Sequence, residues 1–343
     1  MARTNYGVKP PFQHQANTPK AYPHSERTFL QVNASIDGDN VQIAELANAD
    51  SELLMVPKTY EDRNDVGEDA EWRTDDDGDA GRCWKTTLIY QHIGHHPNVV
   101  RFLRPDEWTW LPVLANPGGP NLQKFLDSNR SEMYDQRESG TVDKSTACAR
   151  AKRSRLILVY QWALHLASAL KFIHNYSFEE PAPKISIAFG DLRVEDCWLD
   201  ASGTSLLLLG FLRSSCRTRS SPQHIGNIGL SGRDFQPLGR RGVPSLQTDV
   251  FYWGCVVYEL MTGYWPGEGQ GLAQEEMESL VSRRVWPRLE SEYLGDVVTK
   301  CWTGEIASAV ELLCAVREAM TELGVMVGDN DEIMDIALDG MTI

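Results

Sequence analysis

The sequence predicts an α+β chain in which a small β-rich part precedes a larger helical part. The segment between Thr28 and Lys58 contains three β-prone runs, FLQVNASI, NVQIAEL and ELLMVPK. From Leu156 to His174 apolar residues recur at helical spacing, which predicts one long helix. Further helical patterns occupy residues 272–326, so helices dominate the second part of the chain.

The composition is typical of a globular protein in a reducing compartment. An apolar fraction of 42% over 343 residues is sufficient for a packed core. The formal net charge of −15 argues against the basic face that nucleic acid or an anionic membrane would require, so neither is an expected partner. Seven cysteines without a C-x-x-C pair, and an N-terminus without an apolar signal segment, predict an intracellular, cytoplasmic or nuclear protein.

Three segments are predicted to lie outside the packed domain. Residues 1–26 are rich in Pro, Asn, Gln and His without any period, which is typical of a disordered tail. Residues 61–80 form an acidic insertion, and residues 327–343 form an acidic C-terminal tail. The run TDDDGD is similar to a calcium loop, but aligning its required glycine on Gly78 would put Arg73 at the first ligand position. A solvated insertion is the better interpretation.

Shorter elements are predicted between the β-rich part and the long helix. The spacing of apolar residues favours a helix over Cys83–Ile93 and a strand over Trp108–Leu114. Residues 115–119 contain the letters ANPGG and are expected to form a hinge. A short helix over Asn121–Ser128 follows, and residues 129–152 are polar with both charge signs, which predicts a surface loop.

The stretch Ile185–Ser215 is the one around which the chain is organised. It begins as a β-prone apolar run up to Phe189 and turns polar after Gly190. Leu206–Leu209 is a second apolar run, short enough for a buried strand. The sequence DASG before it is typical of a turn. The pattern predicts a strand, a polar loop with a fixed carboxylate, and a hairpin.

Four segments carry a resemblance to the protein kinases. The catalytic loop H-R-D-L-x-x-x-N corresponds to FGDLRVEDCWL, and the D-F-G segment corresponds to LGFL. The junction after kinase helix αC is similar to HPNVV, and the signature of helix αF is similar to TDVFYWG. The chain thus resembles a eukaryotic Ser/Thr protein kinase domain over roughly residues 28–326. The letters DLR, TDVFYWG and C-W also resemble stand-alone kinase-like proteins of filamentous fungi.

The resemblance implies a bilobal protein kinase-like fold, with a small β-rich N-lobe and a larger helical C-lobe. The whole domain would span residues 27–326. Its N-lobe would comprise about residues 27–114 and its C-lobe residues 120–326, on either side of the hinge at 115–119.

The resemblance also implies family roles for five charged residues. Asp191 corresponds to the catalytic aspartate, and Arg193 places a positive charge beside it. Lys58 corresponds to the phosphate-binding lysine, although a solvated lysine at a strand end is an equally good interpretation. Asp196 stands where the family has an asparagine that helps to bind magnesium. Asp249 corresponds to a buried aspartate that accepts hydrogen bonds from the catalytic-loop backbone, which is a structural role.

Four apolar residues occupy further positions that matter in the kinase family. Phe189 and Phe211 fall where kinases stack side chains in an internal hydrophobic column. Val56 and Trp198 fall on the positions that sandwich adenine, and both are bulkier than the usual alanine and leucine. The resemblance therefore implies that Trp198 can fill the nucleotide slot itself.

Several catalytic groups of the family are missing together. Gly210 stands in place of the metal-binding aspartate, so no metal site is expected. Asp37 and Asp39 lie in the segment that corresponds to the Gly-rich phosphate loop, where their charges would repel a triphosphate. The helix glutamate that would pair with the lysine falls on Thr86 or Thr87.

These substitutions predict a catalytically impaired pseudokinase that acts as a protein-binding or scaffolding module. Its partner is expected to be a protein, and no cofactor is expected. The alternative is an active but unorthodox Ser/Thr protein kinase, which would use ATP and magnesium.

Overall fold

The computed structural model describes two compact units of mixed helix and sheet. The first unit comprises residues 1–94 and 101–116, and the second comprises 95–100 and 117–343. The described residues within them are 29–36, 41–46, 52–57, 79–106, 110–136, 149–175, 185–218, 224–225, 245–268, 276, 279–280, 283 and 285–334. Lys58, Asp37, Asp39, the tail 1–26 and most of the acidic insertion lie outside these residues.

A five-stranded antiparallel sheet and one helix form the first unit. The sheet order is β1-β2-β3-β5-β4, and helix α1 packs against β3, β4 and β5. Their bounds are β1 Phe29–Ile36, β2 Val41–Leu46, β3 Glu52–Pro57, α1 Asp79–Ile93, β4 Phe102–Pro105 and β5 Pro112–Ala115. Leu53, Leu54 and Met55 of β3 are fully buried, so this strand is the centre of the first core.

Two predicted boundaries in the first unit are wrong. Helix α1 begins at Asp79 rather than Cys83. Strand β5 begins at Pro112, several residues after the predicted start at Trp108. Trp110 has a left-handed backbone with φ 59°, and its carbonyl accepts a hydrogen bond from the Thr87 hydroxyl, so the chain turns there before the strand.

Helix α4 is the centre of the second unit. It spans Arg153–Asn175, slightly longer than the predicted Leu156–His174, and fourteen of its residues are buried. It packs against α5 (Leu246–Thr262) and α7 (Ala309–Glu322), and α6 (Gly295–Thr303) packs against both of these helices. It is the one helix among the described residues that is long and apolar enough to span a membrane, and 78% of that window is buried inside the protein.

Short strands and helical turns complete the second unit. Three small sheets have the orders β11-β10-β6, β13-β12-β9 and β7-β8. The remaining bounds are β6 Gly118–Asn121, α2 Leu122–Ser128, α3 Arg130–Met133, β7 Tyr134–Gln136, β8 Ala149–Ala151, β9 Ile185–Ala188, β10 Cys197–Asp200, β11 Leu206–Leu208, β12 Ser215–Thr218, β13 His224–Ile225 and single 3-10 turns at Val194–Asp196 and Ser291–Tyr293.

The hairpin predicted after Ile185 is confirmed. Strands β10 and β11 pair antiparallel, and the predicted turn lies between them with Gly203 at φ 70°. Within the predicted hinge at 115–119, Ala115 ends β5, and Gly118 and Gly119 begin β6. A Cβ at Gly119 would lie 2.2 Å from the Asp200 carbonyl oxygen, so only glycine allows this approach of β6 to β10.

Two polar segments that the sequence places at the surface are packed instead. In the predicted loop 129–152, β7 and β8 form a hairpin, and the buried Arg150 guanidinium donates to the Glu290 carboxylate with Nε–Oε2 2.7 Å. In the predicted tail, Asp331 accepts from the Ser168 hydroxyl and forms an ion pair with Arg317. The partners are distant in sequence, so local polarity could not reveal the packing.

Arg150→Ala is expected to destabilise the protein by about 1.5–3 kcal/mol, the range for hydrogen bonds to charged groups. The substitution removes the donors to Glu290 and to the Ala149 and Arg288 carbonyls. Chemical denaturation would measure the change, and Arg153→Ala at the exposed start of α4 is the matched control. Equal losses of stability in the two variants would show that the contacts of Arg150 do not stabilise the fold.

Candidate functional site

The loop between β9 and the first 3-10 turn is held by the carboxylate of Asp249. Helix α5 begins after Ser245, whose hydroxyl accepts from the Thr248 N–H, and this cap places Asp249 in the first turn. The Asp249 side chain is fully buried. Its oxygens accept hydrogen bonds from the backbone N–H of Phe189 at 2.6 Å and of Gly190 at 2.8 Å. These are the hydrogen bonds expected for Asp249 from the sequence.

A second partner of Asp249 comes from the end of α4. The Nε2 atom of His174 lies 2.7 Å from Asp249 Oδ2. Both side chains are buried, so the charge of Asp249 is compensated inside the protein rather than by water. Helices α4 and α5 and the loop at 189–190 therefore meet at a single carboxylate. No local pattern in the sequence predicted the contribution of His174.

Gly190 allows the two halves of the site to approach each other. Its φ is 95°, in the left-handed region that favours glycine. A Cβ at this position would lie 2.1 Å from the carbonyl oxygen of Arg213. No larger residue could be accommodated without moving the chain. Gly190 thus allows the backbone of residue 213 to lie against the loop.

Arg213 reaches the carboxylates of the same loop. It is 3% exposed, and its Nη2 atom lies 2.6 Å from Oδ1 and 2.5 Å from Oδ2 of Asp196. Its Nη1 atom lies 3.5 Å from Glu195 Oε1, and its Nε atom lies 4.0 Å from Asp191 Oδ2. One guanidinium group therefore faces all three acidic side chains of the loop.

Arg193 is the second cation of this cluster. Its Nη2 atom lies 2.5 Å from Asp191 Oδ2, and its backbone N–H donates to Asp196 Oδ2 at 2.9 Å. Asp191 and Asp196 are both 3% exposed. We call Asp191, Arg193, Glu195, Asp196 and Arg213 the charge cluster. Its three carboxylates and two guanidinium groups bind one another.

Burial raises the pKa of Asp196 to about 7, although the guanidinium of Arg213 acts in the opposite direction. The neighbouring carboxylates of Glu195 and Asp191 raise it further. The folded protein therefore takes up a proton at Asp196 at a higher pH than the unfolded chain does.

The structure brings most of the sequence-predicted site residues into this region. Asp191, Arg193 and Asp196 lie in the charge cluster. Phe189 and Phe211 contact each other edge to face, with ring centroids 5.6 Å apart. Trp198 is buried in β10, where it pairs with Asn121 and Leu207. Lys58, the predicted phosphate-binding residue, lies outside the described residues.

Sequence reasoning missed Arg213 and Glu195. Arg213 begins a stretch rich in Ser, Gly and Arg that extends to Gly242, and this composition indicates no particular partner for it. The available signal was an arginine directly after the apolar run LLLLGFL, where a charge so close to a buried strand requires a partner.

Among the residues that the structure describes, no group of three or more His, Cys, Asp or Glu side chains could hold a metal ion. Gly210 has φ 81° and no side chain that could bind a metal ion. Asp191 and Asp196 are already bound to guanidinium groups.

No protein-family model matches this chain, and no curated protein matches it significantly.

Asp249→Ala is expected to destabilise the fold by about 2–4 kcal/mol, because two backbone donors and His174 lose a buried acceptor. Thermal and urea unfolding would measure the loss, with Asp296→Ala as a control at an exposed position in the first turn of α6. A melting temperature unchanged by Asp249→Ala would rule out this role.

The stability of the protein is expected to depend on pH through Asp196. Its pKa is about 7 in the folded state, above its usual value of 3.8. The Asp196 contribution to stability is therefore fully present below about pH 4 and is lost as the pH rises through 7.

Asp196→Asn has no carboxyl group that could take up this proton, so this variant is the reference for the melting temperatures. The melting temperature of the wild type relative to Asp196→Asn should be higher at pH 5 than at pH 8. A difference that is constant between these values, or that changes in the opposite direction, would show that the carboxyl does not titrate in this window.

Proposed function

We propose that this chain is a protein kinase-like pseudokinase that acts as a protein-binding or scaffolding module. The proposal includes the finer architecture of a kinase, with a β-rich lobe and a helical lobe. It is supported by the kinase-like segments around Asp191 and Asp249 and by the hydrogen bonds that join them.

The observation that carries the proposal is the position of the Arg213 guanidinium. Phosphoryl transfer by a kinase requires carboxylates that are free to bind magnesium and to orient the substrate hydroxyl. Here Asp196 is bound by Arg213 through both oxygens, and Asp191 is bound by Arg193. An internal cation therefore supplies the positive charge that a kinase takes from its metal ions.

The residues present do not fit a magnesium ion. Gly210 contributes no ligand, and the carboxylates of the charge cluster would have to release their guanidinium partners. Breaking a buried ion pair and leaving one charge uncompensated costs about 3–5 kcal/mol. Magnesium is also bound only with near-octahedral oxygen coordination, so a single released carboxylate would not suffice.

A binding role is favoured because the scaffold around the site is intact. Asp249 is hydrogen-bonded, the Phe189–Phe211 contact is formed, and the cores of both units are buried. The substitutions thus affect the groups that perform chemistry and leave the groups that hold the fold. A protein partner fits such a chain better than a small-molecule substrate does.

The wild-type protein is expected to show no magnesium-dependent rise in melting temperature with ATP at millimolar concentration. A ligand at one hundred times its Kd would stabilise the folded state by about 2.7 kcal/mol, which a thermal melt detects easily. A radioactive phosphotransfer assay with magnesium and manganese accompanies the melt. Stabilisation by Mg–ATP, or transfer of phosphate to protein, would instead support the unorthodox kinase.

Arg213→Gln tests, in the same thermal melt, whether the Arg213 guanidinium is what prevents a metal ion from binding. Removing this guanidinium leaves three carboxylates with only Arg193, so Mn²⁺ alone should stabilise Arg213→Gln and leave the wild type unchanged. The matched control is Arg288→Gln at an exposed position. Equal responses to Mn²⁺ in all three proteins would show that Arg213 does not occupy a metal position.

A further inference from the structure

Three polar side chains form a stripe along the otherwise mostly apolar helix α4. Gln161, His165 and Ser168 lie at positions i, i+4 and i+7, so they share one face of the helix. They are 0%, 1% and 5% exposed. The face of a core helix is normally apolar, so a buried polar stripe indicates that a polar segment is bound there.

Residues 326–334 of the same chain cover this stripe, and we call them the C-terminal hairpin. Val327 and Ile333 form an antiparallel bridge, and the Met334 N–H donates to the Met326 carbonyl at 2.9 Å. A hairpin this small is not stable by itself in water. Its order therefore depends on its contacts with α4 and α7.

Gln161 binds the backbone of the hairpin. Its Nε2 atom donates to the Asp331 carbonyl at 3.1 Å, and its Oε1 atom accepts from the Ile333 N–H at 2.6 Å. One side-chain amide thus satisfies a carbonyl and an N–H two residues apart, as a neighbouring strand would. This is a contact that a peptide of another chain could make equally well.

The side chain of Asp331 is recognised by two donors. The Ser168 hydroxyl donates to Asp331 Oδ2 at 2.6 Å, and the Arg317 guanidinium of α7 forms an ion pair with the same carboxylate. Arg317 also donates from Nη2 to the Gly328 carbonyl at 2.8 Å. Asp331 has φ 60°, a conformation that aspartate adopts more readily than most residues. The contacts therefore select aspartate at this position.

The next two residues of the hairpin are also distinguished. Glu332 Oε1 lies 3.2 Å from His165 Nε2. Ile333 is 7% exposed and is the one buried residue of the described segment 326–334, whereas Met326 and Met334 are 60% and 56% exposed. Polar contacts thus dominate the docking, and release of the hairpin would expose polar groups that water can satisfy, with little apolar surface.

We propose that the polar stripe of α4 and Arg317 of α7 form a peptide-binding site for two consecutive acidic residues followed by a branched aliphatic residue. Residues 331–333 occupy this site in cis, and a segment of a protein partner with the same chemistry occupies it in trans. The inference rests on the protein-binding role proposed above and names the chemistry of the partner. Phosphate transfer would contradict that role, whereas a negative peptide test without phosphate transfer would contradict this site alone.

The hairpin competes with any partner for the site. Residues 323–325 are the whole connection between the end of α7 and the hairpin. So short a tether holds the hairpin at an effective concentration on the order of millimolar. A substitution that weakens the docking of the hairpin should therefore strengthen the binding of a free peptide, which a segment that only completes the fold would not do.

Isothermal titration calorimetry with a blocked heptapeptide tests the site. The probe is Gly-Asp-Asn-Asp-Glu-Ile-Met, the sequence of residues 328–334. Asp331→Ala removes the hairpin's contacts with Ser168 and Arg317 but leaves both donors in place. This variant should bind the peptide saturably and at least about tenfold more tightly than the wild type. Asp329→Ala, the same change at an exposed position of the hairpin, is the matched control and should bind like the wild type.

Two further measurements test whether the binding is specific. A peptide with alanine in place of Asp331 should bind the Asp331→Ala protein at least about tenfold more weakly than the original peptide does, because its ion pair is lost. Adding Arg317→Gln to Asp331→Ala should weaken the binding of the original peptide by a similar factor. Non-specific attraction would not imitate these results, since a chain of net charge −15 repels an acidic peptide.

Failure of the heptapeptide to bind the Asp331→Ala protein would overturn the proposal, and so would equal binding of the two peptides. Ile333→Ser is a second variant that should release the hairpin, since it removes the buried apolar side chain. It should bind the heptapeptide more tightly than the wild type does. Loss of the cooperative thermal transition in both variants would show that the hairpin is a fixed part of the fold, which also contradicts exchange with a partner.

Discussion

The second unit depends on one buried carboxylate. Asp249 is fully inaccessible to solvent, so its charge is tolerated only because donors surround it. Two of these donors are consecutive backbone N–H groups at Phe189 and Gly190, and the third contact is the His174 ring. A helix N-terminus, a helix C-terminus and an irregular loop are thereby fixed to one point. Without it, the loop would carry unpaired buried N–H groups and could not hold its polar side chains in place.

The charge cluster is built on that fixed loop. A guanidinium is a suitable permanent partner for carboxylates, because it remains charged at all physiological pH values and donates in a planar fork. Arg213 uses one nitrogen to contact both oxygens of Asp196, and its backbone comes close only because residue 190 has no side chain. Gly190 and Arg213 therefore act together. One creates the space and the other supplies the charge.

Polar residues on the long apolar helix show the same principle. Gln161, His165 and Ser168 lie within a helix whose other residues are mostly apolar, and all three are buried. Ser168 donates to Asp331, the Ile333 N–H donates to Gln161, and the Leu206 N–H donates to His165 Nδ1. These contacts attach the C-terminal segment and strand β11 to α4. Each buried polar group thus marks a place where a distant segment of the chain is bound.

The sequence by itself determined the elements whose signals are local. The apolar spacing of α4 and the turn letters before β11 were sufficient to place these elements, because short-range propensity and packing agree there. Tertiary structure decided the rest. The pairing of Arg213 with Asp196, of Arg150 with Glu290 and of Asp331 with Ser168 joins residues 17, 140 and 163 positions apart. A polar residue has the same local pattern whether water or a distant buried partner satisfies it, so only the folded chain distinguishes the two.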